Sequence, residues 1–105
     1  MEFAKHLRLF QGVPGLSKRT RFEILATMLE VLKRNTDGCR ITRLAYGTEI
    51  PNDRAKKYLE TLMDHGLVRP LASDHRLYRI TERGVEFLAT YYKMISFFDL
   101  VNDEE

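Results

Sequence analysis

Residues 40–81 read RITRLAYGTEIPNDRAKKYLETLMDHGLVRPLASDHRLYRIT, and most of the architecture can be inferred from them. Their first part has the spacing of a short helix, in which Thr42 is the expected N-terminal cap and Leu44 faces the core. Gly47 and Pro51 limit this helix to about two turns, because neither residue type continues a helix easily. The segment therefore begins with a short helix and a tight turn.

A second helix in this segment is predicted to begin near Asn52 and to end at Gly66, a residue type that suits the left-handed conformation at helix ends. The residues predicted to face the core are Ala55, Leu59, Leu62 and Met63. Beyond Gly66 the sequence loses its helical period. Residues 67–71 and 77–80 are strand-like and are joined by the polar residues 72–75, which predicts a β-hairpin.

A longer helix is predicted on each side of this segment. Ser17 is the expected cap of the first, whose apolar residues recur at spacings of three and four: Phe22, Leu25, Met28, Leu29 and Leu32. Thr81 is the expected cap of the last, which should run from about residue 82 to residue 100. The order helix, short helix, helix, hairpin, long helix is that of a winged helix-turn-helix. We therefore predict an α+β, mostly helical fold of three helices, a β-hairpin wing and a long C-terminal helix.

The chain of 105 residues has room for one folded domain. Gly and Pro at residues 12–15 separate an N-terminal arm, residues 1–16, from the winged domain, residues 17–81. Residues 82–105 form the predicted C-terminal dimerisation helix with its acidic tail. A hydrophobic fraction of 44% and a charged fraction of 30% are typical of a soluble globular protein.

The charge distribution and the cysteine content restrict the partner and the compartment. Residues 1–79 carry 15 Lys and Arg against 9 Asp and Glu, whereas residues 80–105 carry 2 against 6, so net charges of +6 and −4 give the total of +2. A basic body attracts phosphates, and the acidic end should point away from them. One cysteine, Cys39, excludes an intrachain disulfide, and the N-terminus lacks a signal-peptide pattern. We therefore expect a cytoplasmic, nucleoid-associated protein.

The predicted last helix has an apolar surface wider than one small domain covers. One stripe contains Val85, Leu88, Tyr92 and Ile95, and a second contains Phe87, Tyr91, Met94, Phe98 and Val101. Pairing with a second copy of the chain would bury the surplus, which predicts a homodimer. The predicted interface residues are Phe87, Tyr91, Met94, Ile95, Phe98 and Val101. In the alternative, the N-terminal arm folds back over the second stripe.

Four segments resemble a known family. They are ITRLAY at 41–46, AKKYLE at 55–60, GLV at 66–68 and YRITERG at 78–84, the last followed by Glu86, Phe87 and Leu88. Together they resemble small archaeal winged-helix DNA-binding proteins, over roughly residues 20–98. The resemblance implies dimerisation through the long C-terminal helix, paired as a coiled coil. The chain departs from the family pattern at Glu49, Pro51 and Asp53, where neutral or basic residues are more usual.

The candidate DNA contacts follow from the winged helix-turn-helix order, in which the second helix of the motif enters the major groove. From that helix we expect contacts by Asn52, Arg54, Lys56, Lys57 and Thr61. Further contacts are expected from Arg40 and Arg43 before the groove helix, from His75 and Arg76 in the wing, and from Lys18, Arg19 and Arg21 at the first helix. Each of these side chains alone also fits a solvated surface.

Neither catalytic nor metal-binding residues are predicted. The three histidines, His6, His65 and His75, are dispersed, and no metal-ligand spacing or Gly-rich phosphate loop is present. Cys39 next to Arg40 is either a thiol of lowered pKa or, as we favour, a buried and unreactive one. We therefore expect no enzyme and no cofactor, but a dimeric protein that binds double-stranded DNA as a transcriptional regulator or chromatin component. The alternative is a winged helix used for protein interaction; an effector pocket lined by Tyr91 or Tyr92 is left open.

Overall fold

The structure is a computed structural model that describes residues 20–103, with side chains described for residues 20–98. The predicted N-terminal arm and the side chain of Val101 lie outside this range. The elements are α1 (Arg21–Arg34), α2 (Ile41–Thr48), α3 (Asn52–Asp64), β1 (Val68–Pro70), β2 (Tyr78–Ile80) and α4 (Glu82–Asp103). This order confirms the predicted mostly helical winged helix-turn-helix fold.

Helix α1 begins at Arg21 because a capping box forms there. The Glu23 amide donates to Thr20 Oγ1 at 3.1 Å, and the Thr20 amide donates to Glu23 Oε1 at 2.8 Å. The prediction that Ser17 caps this helix is therefore wrong. Nine of the fourteen residues of α1 are buried, so α1 is the central helix of the core. Phe22, expected to face inward, is exposed instead.

Helix α2 begins two residues earlier than predicted, at Ile41, with Arg40 rather than Thr42 at its N-cap. The reason is a β-bridge between Cys39 and Tyr78, which keeps the chain extended up to residue 40. Leu44 is fully buried, as predicted. The turn to α3 passes through Glu49, which has a left-handed backbone with φ of 63°.

Helix α3 matches the sequence prediction closely. It begins at Asn52, with Pro51 as its N-cap, and the chain turns away at Gly66, whose φ of 75° suits glycine. The core side is formed by Ala55, Leu59 and Leu62, with Met63 partly buried against them. The opposite side of α3 therefore remains open to solvent.

The wing is an antiparallel hairpin that is hydrogen-bonded to the helical core. β1 and β2 pair with the register Val68 to Ile80, Arg69 to Arg79 and Pro70 to Tyr78. On the far side of β2, the amides of Cys39 and Tyr78 each donate to the other's carbonyl oxygen at 2.9 Å. A lone two-stranded hairpin is only marginally stable in water, so this bridge helps to hold the wing in place.

Helix α4 joins the wing to the core. Thr81 caps it as predicted: its Oγ1 accepts a hydrogen bond from the Gly84 amide at 3.0 Å and donates to the Gly66 carbonyl at 2.7 Å. Gly84 is buried where α4 crosses the chain just before β1, so closely that a Cβ would overlap the Leu67 carbonyl oxygen. In the described part of the chain, no helix combines the length and apolar character needed to cross a bilayer.

Candidate nucleic-acid interface

Helix α3 carries five of the twelve predicted DNA contacts, and four of the five are exposed. Asn52, Arg54, Lys56 and Lys57 are all exposed, and we call these four residues the reading face. The same exposed surface also carries Asp53, Glu60 and Asp64, so three acidic residues accompany the three basic ones. The exposed surface of α3 as a whole, with its three basic and three acidic residues, therefore offers hydrogen-bond donors without a strong net charge, and nearby elements must supply most of the attraction for phosphates.

Arg54 on the reading face is oriented by a neighbour one turn along α3. Its Nη2 donates to the Tyr58 hydroxyl at 3.3 Å, and its guanidinium carbon lies 5.8 Å from the centroid of the Tyr58 ring. Tyr58 itself is partly buried against the core. The ring thus holds a guanidinium, whose planar fork suits guanine or phosphate, near the solvent.

Thr61, the remaining predicted contact on α3, lies at the border of the exposed surface. It is half-buried, and its hydroxyl donates to the Lys57 carbonyl at 3.2 Å. Thr61 also lines a cleft on the side of α3 next to α1 and α4. We therefore leave it out of the reading face.

Two exposed arginines stand at the start of α2. Arg40 is the N-cap residue and Arg43 lies within the first turn, which contains no acidic residue. A helix N-terminus carries a partial positive charge, so cations are unfavourable there and an anion is favoured. This placement supports a contact between the start of α2 and the DNA backbone.

At the tip of the wing, Arg76 is held by Asp74. Its Nε and Nη2 donate to the two carboxylate oxygens at 3.1 and 3.2 Å, and its amide donates to Oδ1 at 3.0 Å. These bonds lower the pKa of Asp74 below its ordinary value. The Arg76 side chain stays 71% exposed, and His75 beside it is also exposed. The tip therefore presents an oriented guanidinium whose charge is locally balanced.

The wing also carries two arginines that the sequence analysis missed. Arg69 and Arg79 are paired across the strands and are both exposed, on the face opposite to the buried Val68. Part of the signal was present in the sequence: Arg79 lies between the partly buried Tyr78 and Ile80, and Arg69 follows the buried Val68. The unbalanced positive charge of the wing is thus concentrated along its strands, because the charge of Arg76 at the tip is paired with Asp74.

Of the three predicted contacts at the first helix, Arg21 is the one among the described residues. Lys18 and Arg19 lie outside the described residues. Arg21 is exposed and lies on a cleft of about 580 Å³ between α1, α3 and α4, whose apolar lining residues are Phe22, Leu25, Leu62, Leu67 and Phe87. Neither Tyr91 nor Tyr92 lines this cleft; Tyr92 donates to Glu30 Oε1 at 2.7 Å instead.

The predicted dimer residues of α4 divide into two groups. Tyr91 and Ile95 are buried within the chain, with Leu88, because the core-facing side of α4 lies between the two predicted stripes. Their assignment to a dimer interface is therefore wrong, and Phe87 is half-buried against the same core. Met94 and Phe98 are 48% and 52% exposed, and Phe97, which was not predicted, is 63% exposed.

Cys39 is the one cysteine of the chain, and its thiol is the reactive group that the sequence analysis left to be decided. Burial raises the pKa of the Cys39 thiol, although the positive charge of Arg43 opposes the shift. This favours the unreactive thiol over the activated one. Among the described residues, no group of three or more His, Cys, Asp or Glu side chains is placed to hold a metal ion.

Comparisons with solved structures agree with this architecture. A single-substitution mutant of MepR from Staphylococcus aureus superimposes with a TM-score of 0.67 at 12% identity, over 96% of this chain and 75% of that one. BpsR of Bordetella bronchiseptica, whose DNA binding is regulated by 6-hydroxynicotinic acid, superimposes with a TM-score of 0.58 at 22% identity, over 98% and 76%. At these identities the likeness shows the fold.

The sequence comparisons give the family. No curated protein sequence matches this chain. A family model described as winged helix-turn-helix matches residues 18–98, a range that contains α1, α2, α3, the wing and most of α4. Because this match covers well over half of the chain, the protein belongs to the winged helix-turn-helix family.

Proposed function

We propose that this protein binds double-stranded DNA as a homodimer, as a transcriptional regulator or chromatin component, with the reading face of α3 in the major groove. The single observation that carries the proposal is the exposure of that face between two other basic elements. Arg40 and Arg43 stand on one side of it in sequence, and the arginines of the wing stand on the other. The family, and the regulated DNA binding of the structurally similar BpsR, support the same function.

The charge distribution suggests that different parts of the proposed DNA-binding surface contact bases and phosphates. The acidic residues on α3 offset its basic ones, so this helix contributes little to non-specific attraction. Arg40, Arg43, Arg69 and Arg79 are exposed, and none of them forms an ion pair with a described carboxylate. These residues would supply the salt-dependent part of the affinity through phosphates, while Arg54 and Asn52 would contact base edges.

The salt dependence of binding tests this function. We expect fluorescence anisotropy with a labelled duplex to give an affinity that falls by roughly 10³- to 10⁵-fold between 50 and 200 mM salt, as for a protein with about six to ten phosphate contacts. The titration should also be saturable and stoichiometric, which non-specific aggregation on the duplex would not be. If no duplex binds even at 50 mM salt, the proposed function is wrong.

The proposed dimer rests on the exposed apolar residues in the C-terminal half of α4. Met94, Phe97 and Phe98 are spaced by three and four residues, so they lie on one side of the helix. Large side chains on one exposed side are typical of a surface that another chain covers. Pairing α4 with its copy would remove them from water and set two reading faces at a fixed separation.

Sedimentation of a variant tests the dimer. We expect the double substitution Phe97→Glu and Phe98→Glu to convert a dimer into a monomer at micromolar concentration, because four glutamates would face one another across the two-fold axis. The control is Lys93→Glu on the same helix, a residue that is exposed but polar and that should leave the dimer intact. Wild-type protein that sediments as a monomer would contradict the proposed dimer.

The second candidate function is a winged helix that binds another protein. The acidic residues Asp53, Glu60 and Asp64 beside the reading face favour it, because they repel DNA phosphates but suit a basic protein surface. Under this function, charge reversal on the reading face would leave partner binding intact and no duplex would compete for the site.

A further inference from the structure

The outer face of the wing places two like charges directly opposite each other. Arg69 and Arg79 are register partners in an antiparallel pair, so their Cβ atoms are about 5 Å apart. Both side chains are exposed, and neither forms an ion pair with a described carboxylate. Like charges in such a pair destabilise a hairpin. The wing thus carries a repulsion that its fold does not require.

A third arginine lies beside this pair. Arg83 is in the first turn of α4, and its Nε donates to the His65 carbonyl at 3.0 Å, which fixes one edge of the guanidinium; its other nitrogens donate to no described residue. All three arginines line one open cleft of about 420 Å³ at the base of the wing. Its other lining residues are Gly66, Ile80, Thr81 and Glu82.

The chemistry of this cleft selects for an anion with several oxygens. Its lining includes three arginines and a single carboxylate, that of Glu82, and Ile80 is the one large apolar residue among the lining residues. An apolar ligand would therefore bury little apolar surface in this cleft. A planar guanidinium donates two parallel hydrogen bonds to a phosphate group, so three of them match its oxygens better than they match a halide ion.

We infer that Arg69, Arg79 and Arg83 form a binding site for a phosphate group at the base of the wing. The phosphate belongs either to the DNA backbone, which rests on the proposed function, or to a small phosphorylated ligand. In both cases a bound phosphate would relieve the repulsion between Arg69 and Arg79. The empty site therefore weakens the wing, and the occupied site stabilises it.

Thermal unfolding of the full chain with inorganic phosphate tests the site itself, with chloride at equal ionic strength as the reference. Phosphate at about ten times its dissociation constant should raise the wild-type Tm by roughly 7 °C beyond the chloride effect. Arg79→Gln and Arg69→Gln should lose this increment, and at low salt without phosphate they should unfold at a slightly higher temperature than wild type. The matched control is Arg76→Gln, an exposed wing arginine outside the cleft, which should keep the increment.

Duplex titration of the same variants identifies the source of the phosphate. If it is the DNA backbone, Arg79→Gln should weaken binding and reduce the salt slope by about one, as expected for one lost phosphate contact. If the slope is unchanged while the phosphate increment in Tm is lost, the site takes a small phosphorylated ligand. If the wild type binds no duplex at all but phosphate still raises its Tm, the site also takes a small phosphorylated ligand. In that case only the proposed function is wrong. Equal stabilisation of wild type, Arg69→Gln and Arg79→Gln by phosphate would overturn the inference.

Discussion

Reversing the charge of Arg54 and Lys57 together should weaken duplex binding by roughly a hundredfold or more. Each good contact with a base edge contributes about 1–3 kcal/mol, and every 1.4 kcal/mol is a factor of ten in the dissociation constant. The two glutamates would add repulsion from phosphates to the lost contacts. Because both side chains are exposed and lie outside the core, Arg54→Glu with Lys57→Glu should leave the thermal unfolding temperature nearly unchanged.

A variant with the same change in net charge separates local contacts from overall attraction. Lys33→Glu with Lys93→Glu also removes four positive charge units, taking the net charge from +2 to −2, but at exposed positions on α1 and α4. Anisotropy titrations at one salt concentration should give a much smaller loss for this control. Equal losses in the two double variants would mean that α3 does not enter the groove.

Gly84→Ala should destabilise the fold strongly, although it adds only one methyl group. Within a helix, replacing glycine by alanine ordinarily stabilises by about 1 kcal/mol. Here the new Cβ would overlap the Leu67 carbonyl oxygen and lie 2.6 Å from Ile80 Cγ1. A backbone oxygen cannot rotate away, so α4 and the wing would have to separate. We expect a loss of about 3 kcal/mol, or roughly 15 °C in Tm.

The matched control for this substitution is Gly47→Ala in α2. Its Cβ would lie 3.0 Å from Val31 Cγ2, the end of a side chain that is able to shift by a few tenths of an ångström. The helix propensity gained and the crowding should nearly cancel, leaving the stability within about 1 kcal/mol of wild type. Urea or thermal unfolding compares the two variants. A wild-type Tm for Gly84→Ala would disprove the tight contact between α4 and the wing.

Much of the fold follows from local signals that the sequence displays. Gly66 as the end of α3, Thr81 as the cap of α4 and the inward residues of α3 were all predicted correctly. One error was local, since the capping box placed the cap of α1 at Thr20 and not at Ser17; another arose from a long-range contact. Thr42 looked like a cap, but the bridge between Cys39 and Tyr78, formed across almost forty residues, sets the start of α2 instead.

The sequence predicted the residues of the candidate interface better on the helices than on the wing. Exposure of Arg54, Lys56 and Lys57 follows directly from the helical period of α3. The pairing of Arg69 with Arg79 depends on the register of the hairpin, which single-sequence reasoning does not determine. On α4, two apolar stripes were visible, but only the packing of α1 against α4 reveals that the core side lies between them.

The placement of Pro70 has a consequence for how this protein behaves at high concentration. In the wing, the Leu71 amide donates to the Leu77 carbonyl oxygen and the Thr81 amide donates to the Leu67 carbonyl oxygen. Because the backbone polar groups of successive strand residues point to opposite sides, those of Pro70, next to Leu71, point away from β2. Proline has no N–H to offer to an approaching strand, and the neighbouring Arg69 is charged, two devices by which natural proteins block sheet growth. The outer border of the hairpin is therefore a poor template for fibrils.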